Sequence, residues 1–333
     1  MAGGGARMMP IGRRQAAMLA MAALAAPRLG RAQGSWPERP VRLILPFGAG
    51  GAADTLARSV ANAFAPHANG QSLVVENRGG AGGTIAGAAT AQARPDGYTL
   101  MLADLGANGI GKELQPSVPY DPATAFTPVC HLVNLPLAFV VPASLPVDDI
   151  AGFVALARRR GDMVYAHPGI GYAGHLAQEF MNRELGLKMT PVPYRSGAEV
   201  ARSILAAETE STFMTVSTSL PFIREGKAKA LAVSSKAPVP QLPNVPPMAT
   251  VLPGFEALVW HGIVGPAGLP PEITAAANRA FNAVLADPAV REAAVTRQAA
   301  EIVGGTPDQF GRFIQAEIAR WTPLIRSLGL RAE

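Results

Sequence analysis

Residues 43–64 read LILPFGAGGAADTLARSVANAF, an apolar strand that passes through a glycine cluster into a helix whose start carries an acid, Asp54. The spacing Gly48-x-Gly50-x-x-Ala53 imitates a dinucleotide fingerprint, so the turn holds either a pyrophosphate or a smaller anion. The rest of the chain repeats the unit. Apolar runs at 41–45, 72–75, 98–103, 138–141, 163–166, 228–233 and 262–264 read as strands. Stretches at 54–64, 84–93, 150–160, 174–184, 197–207, 219–226, 271–286, 288–298 and 307–328 read as helices, the last three each starting at or after a Pro or a capping residue. This alternation predicts an α/β protein with parallel sheets covered by helices, and no solenoid-sized repeat interrupts it. Proline-rich joints at 136–146 and 236–247 break the pattern. The first joint and WHGIVGPAGLPP at 260–271 are the expected crossings between two lobes.

Two further strand ends pass through glycine into a helix, ENRGGAGGTIAGAA at 76–89 and HPGIGYAGHLAQEF at 167–180. Glycine lets the backbone approach a ligand, and the exposed N–H groups of a helix start favour an anion by roughly 0.3–1 kcal/mol each. Any one such turn also serves simply to reverse the chain tightly. Three of them converging from two lobes suit a carboxylate. For a dinucleotide, Glu76 stands 23 residues after Ala53, near where a ribose-binding acid belongs. Against it, Pro46 and Phe47 separate the strand from Gly48, whereas a dinucleotide turn begins at the strand end. An exported oxidoreductase with a nucleotide cofactor is therefore the alternative reading, not the leading one.

The N-terminus reads as an export signal over 1–32: Arg7, Arg13 and Arg14 precede an uncharged run at 16–26, and Gly30 and Ala32 suit a signal peptidase. The run is about half the ~20 residues of a membrane span. Either the Sec or the twin-arginine route fits, and both lead to the periplasm. Losing 1–32 removes five arginines and no acid, which leaves 24 basic against 24 acidic residues and takes away the electrostatic case for nucleic-acid binding. Cys130 is the single cysteine and reads as core, so no disulfide framework and no thiolate metal site is expected. The sequence contains no HExxH and no GxSxG, and no acid pair is placed for acid–base chemistry; no catalytic residue, metal or cofactor is assigned. His167 and His175 are eight residues apart across a glycine loop, which is not one-turn metal spacing.

The blocks WPERPVRLILPFGAGGAADTLAR, VVENRGGAGGTIAGAATAQARPDGYTL, VPYDPATAFTPV, VPYR, LPFIREGKAKALAV, GPAGLPPEI and WTPLIRSLGL, in this order from Trp36 to Leu330, resemble the Bug family of substrate-binding receptors of tripartite tricarboxylate transporters. The resemblance implies a type II, periplasmic-binding-protein-like α/β fold whose two lobes, 36–137 plus 260–333 and 138–259, close on a small organic carboxylate. It also implies a monomer that delivers its ligand to a membrane permease rather than transforming it.

Carried onto this sequence, the resemblance places the first ligand loop at Phe47, Gly48, Gly50, Gly51, Ala53 and Asp54. Asp54 is read as a helix N-cap that shapes the loop, with contact to an amine on the ligand as the other reading. The facing loop supplies Gly169, Ile170, Tyr172 and His175, and Leu105, Met214 and Thr218 complete the set. Ile170 and Tyr172 stand where relatives carry small polar residues, and Met214 where relatives often carry an acid; ordinary core packing is the other reading of Met214. Leu105 and Gly106 likewise replace a polar loop. The pocket expected is therefore less polar than usual, suited to an acid with an apolar or aromatic body. Trp260 and His261 read as hinge residues that could touch the ligand, and Arg195 as a surface residue that could pair with a carboxylate.

Overall fold

The computed structural model describes residues 36–332. The export signal expected at 1–32 lies outside the described residues. The first sheet is built on β1 (Val41–Leu45), which pairs in parallel with β2 (Leu73–Asn77) on one side and β3 (Thr99–Ala103) on the other. Side chains alternate across a strand. Val41, Leu43 and Leu45 therefore share a core with Leu56, Val60 and Phe64 of α1 (Ala52–Phe64) and with Phe281 and Val284 of α8 (Pro271–Val284), while Ile44 joins the core on the opposite face. The helix α2 (Thr84–Ala91) returns the chain from β2 to β3, and a π-helical turn, Gly106–Ile110, leads from β3 into the short α3 (Gly111–Leu114).

The element that organises the rest is β4 (Phe126–Pro142), 17 residues long and buried over most of its length. Its first part pairs with β9 (Leu258–Pro266) and β10 (Glu301–Gly304) in the first sheet. The β9 pairing ends at Pro136 opposite Leu258, and from Leu137 the partners are β7 (Thr212–Thr215) and β8 (Ala228–Val233) of a second sheet. Proline at that point is tolerable because its missing N–H falls where the ladder changes hands. A two-stranded parallel piece, β5 (Val164–His167) with β6 (Thr190–Pro193), completes the second set. Around it lie α4 (Ile150–Arg160), α5 (Ala173–Leu185), α6 (Gly197–Leu205) and α7 (Val216–Arg224). The C-terminal α9 (Pro288–Arg291) and α10 (Pro307–Leu328) return to the first sheet, with Phe310 of α10 ringed by His131, Trp260 and Phe313.

The expected α/β architecture is present, with differences that have physical causes. The parallel order holds for β2–β1–β3 and for β5–β6, but β4 and β9 run antiparallel to their neighbours, so the sheets are mixed. The run expected at 138–141 is the end of a strand more than four times as long, whose proline residues at 128 and 136 sit beside register shifts or the partner change. The strands β6, which carries two prolines, β7, four residues with a threonine at each end, and β10, an exposed edge, were not expected, since none has an alternating apolar pattern. The helix expected at 288–298 is the four-residue α9 followed by a π-helical turn, Glu292–Thr296. The chain re-enters the first sheet at Leu258, earlier than the crossing expected at 260–271.

The return passage is tied to β4 by one buried hydroxyl. Ser234 is fully buried; its Oγ accepts the Leu137 N–H at 2.8 Å and donates to the Ala257 carbonyl at 2.5 Å. Ser234→Ala would leave both backbone groups without partners in a dry site, and buried groups orphaned in this way cost about 1–3 kcal/mol each. The variant should unfold in urea with its free energy lowered by about 2–4 kcal/mol and an unchanged m-value.

Candidate functional site

Between the two sheets lies a cavity of about 430 Å³. Its floor comes from the ends of the first sheet: Pro46 and Phe47 after β1, Asp104 and Leu105 after β3, and Val259, Trp260 and His261 on β9. One wall is the glycine loop 80–84 that opens α2; Gly106, Gly111, Leu114 and Gln115 of the helical segment after β3 form another. The loop 168–173, which opens α5, closes it from the second sheet with Ile170 and Tyr172. Among the described residues, neither Lys nor Arg lines it.

Two glycines let the walls meet. A Cβ on Gly106 would stand 2.5 Å from the Gly82 carbonyl oxygen, so only glycine admits the 80–84 loop so close. Gly171, at φ +79, would carry a Cβ only 2.2 Å from Leu114 Cδ1, at the seam between the two walls.

The residues that precede α2 and α5, Gly83 and Tyr172, supply no side-chain cap. Asp149, Ser196, Asp287 and Thr306 cap α4, α6, α9 and α10 with side-chain oxygens, whereas α1, α7 and α8 also begin without a side-chain cap. First-turn N–H groups that no side chain satisfies are what an anion needs.

The facing loop is held from beneath by two histidines. The N–H of Gly169 donates to His167 Nδ1 at 3.2 Å and that of Gly171 to His175 Nδ1 at 3.3 Å, and the two rings stack at 4.2 Å. Burial keeps both rings neutral, lowering the His167 pKa and bringing that of His175 down to about 3 with help from its partner. Glu179 lies 3.9 Å from His175 Nε2, and Tyr165 stacks on the pair and donates its hydroxyl to Glu179. On the floor, Asp104 accepts the Ala107 N–H at 3.1 Å, and loss of hydration raises its pKa to about 6. The His261 ring meets Phe47 edge-on at 5.5 Å, and burial brings its pKa down to about 4.

Of the expected site residues, Phe47, Leu105, Gly169, Ile170 and Tyr172 line the cavity. Gly48, Gly50 and Gly51 are exposed, with open space where a Cβ would stand, and neither they nor Ala53 line it; the chain turns outward after Phe47. Asp54 is buried in a network outside the cavity: it accepts from Gly50 N–H, Arg58 Nε and Asn77 Nδ2, each at 2.9 Å. The Arg58 and Gly50 hydrogen bonds hold its carboxyl well below the usual range. It shapes the loop as expected, but from the first turn of α1, because the cap position belongs to Gly51. His175 supports the loop rather than lining the cavity, Met214 packs in the second-sheet core beside Ala138 and Val140, and Thr218 is exposed and bonded to Thr215. Arg195 is exposed. The residues that sequence reasoning left out of the site are Asp104, Leu114, Gln115 and the 80–84 loop, although the glycines of that loop were a visible signal. Glu76, where a ribose-binding acid would sit, bonds Arg42 and Arg78 instead.

Two sheets joined by crossing strands around a cleft, with uncapped helix starts aimed into it, define a solute-binding receptor. The model of the tripartite tricarboxylate transporter family receptors matches residues 56–330, and the chain belongs to that family. It is a receptor and not an enzyme. It is similar to the protein BugT of Bordetella pertussis, 33% identical over 300 residues that cover 89% of this chain and 91% of that one. Among solved structures it resembles the periplasmic binding protein BugD at 31% identity and a TM-score of 0.74, covering 90% and 100% of the two chains. A Rhodopseudomonas palustris protein solved with adipate is 33% identical, with a TM-score of 0.76 over 88% and 98%. MatC of the same organism, solved with malate, is 31% identical, with a TM-score of 0.73 over 87% and 100%.

The buried histidines make stability depend on acid. A pKa lowered in the folded state gives stabilisation that is complete above the unfolded value near 6.5 and is lost as pH falls, here down to about 3 for His175. Urea stability should therefore drop by up to about 1.4 kcal/mol per pH unit for each such ring below ~6.5. His175→Asn keeps an acceptor for Gly171 but takes up no proton, so its pH profile should be the shallower one.

Proposed function

We propose that the chain loses its leader near Gln33 and works in the periplasm as a monomer, binding a small organic carboxylate in the cavity and passing it to the membrane permease of a tripartite tricarboxylate transporter. The lobes are 36–137 with 260–332, and 138–259. The observation that carries this reading is the start of α5, which no side chain caps, at a cavity that among the described residues is lined by neither Lys nor Arg. Backbone N–H groups and helix dipoles then hold the anion, which sets the carboxylate in one place without a flexible cation. Relatives solved with adipate and malate support the ligand class. The site residues we propose are Phe47, Leu105, Gly169, Ile170 and Tyr172, joined by the 80–84 loop, Leu114 and Trp260. Phe47, Leu105, Leu114 and Trp260 make most of it apolar, which favours an acid with an apolar or aromatic body.

Ala173→Pro tests the anion site directly. Residue 173 is the first residue of α5, where proline fits, and Tyr172 at φ −59 and ψ 143 already has the extended conformation that precedes a proline. The substitution removes one N–H from the helix start and nothing else from its hydrogen bonding. In a melting-point screen of dicarboxylates, citrate and aromatic or aliphatic monocarboxylates, with the matching amides as controls, an acid near 100 times its Kd should raise the Tm of the unaltered protein by several degrees. Ala173→Pro should weaken that acid at least about tenfold with an unchanged circular-dichroism spectrum. A screen in which amides stabilise as well as acids removes the reading. N-terminal sequencing of the periplasmic protein should begin near Gln33.

A further inference from the structure

The cavity has two helix starts, and the protein's own carboxylate already sits against one of them. Asp104 lines the floor with Oδ1 only 3.5 Å from where a Gly83 Cβ would stand, at the residue preceding α2. Beside it is a buried ring nitrogen with no hydrogen-bond partner. The pairing of Ala103 with Gly262 places Asp104 next to His261, which is 5% exposed and lines the same cavity. The Nδ1 of its buried ring is that unpartnered atom. Burial keeps the ring neutral, so it brings no positive charge to the floor beside Asp104. A buried polar atom without a partner is costly, and a carboxylate with no cation beside it is best met by a hydrogen-bond donor on the ligand.

From this arrangement we infer that the ligand is a monocarboxylate carrying a hydrogen-bond donor, a hydroxyl or an amino group, at the end remote from its carboxylate. The carboxylate faces the start of α5; the donor reaches the floor formed by Asp104 and His261. A second carboxylate at that floor would meet a like charge and, among the described residues, no cation to balance it. The inference rests on the carboxylate-receptor reading and narrows it away from the dicarboxylates found with the relatives.

Titration calorimetry with two matched series tests it: hexanoate, 6-hydroxyhexanoate and adipate, and benzoate, 4-hydroxybenzoate and terephthalate. In at least one series the hydroxy acid should bind about tenfold or more tighter than both the plain acid and the dicarboxylate. Asp104→Asn keeps an oxygen for the Ala107 N–H while removing the charge, so it should fold and should shrink the gap between hydroxy acid and dicarboxylate to under about threefold. A dicarboxylate that binds as tightly as its hydroxy counterpart overturns the inference while leaving the receptor reading intact, and so does a gap that Asp104→Asn does not change. Binding of none of the six also overturns it; whether the receptor reading falls with it is then read from the wider screen of acids and amides.

Discussion

The structure depends on one strand that belongs to two sheets. A backbone group buried inside a protein must find a partner, and β4 meets that demand over 17 residues by exchanging β9 for β7 and β8 at Pro136 and Leu137. The exchange fixes where the sheets separate and therefore where a cleft can form. Ser234 secures the same point from the returning chain. The cavity lies in that cleft, lined by the ends of β1 and β3, by β9 and by the loops that open α2 and α5.

The site that results is made of backbone more than of side chains. Its glycines bring loop 80–84 against Gly106 and the 168–173 loop against Leu114. Loops this rich in glycine lose much entropy on ordering, so they need anchors. The anchors lie outside the cavity: Asp54, with Arg58 and Asn77, holds the loop after Phe47, and the neutral His167–His175 pair holds Gly169 and Gly171. These buried polar residues look functional in the sequence because they adjoin the glycine loops. Their work is to hold N–H and C=O groups in place, leaving the helix starts themselves open.

Local patterns made much of this legible. The stretches 41–45, 150–160, 228–233 and 307–328 coincide with β1, α4, β8 and α10, since each has a clean apolar period or a cap at its ends. The glycine-to-helix turns marked two of the cavity walls, and Phe47, Leu105, Ile170 and Tyr172 were named on the strength of a family resemblance. Asp104 was not named, because an acid after a strand reads locally as an ordinary helix-capping residue, which it also is. Met214 was open to two readings because a methionine on a short strand has no local mark telling which face is buried; its pairing with Ala138 places it in the core.

By itself, then, the sequence determined the α/β class and the presence of glycine-rich turns at helix starts, since these follow from periodicities and spacings within some twenty residues, while the receptor family was legible only as a resemblance of blocks in order along nearly the whole chain. Tertiary structure alone decided which turns face each other. The first loop points outward after Phe47 because Asp54 ties it to Arg58 and Asn77, whereas the loop 80–84 takes its place at the cavity because Gly106 lets it approach. Asp104 and His261, 157 positions apart, become neighbours only through the antiparallel register of β3 and β9. Such a register is set by packing across the whole sheet, and no local spacing encodes it.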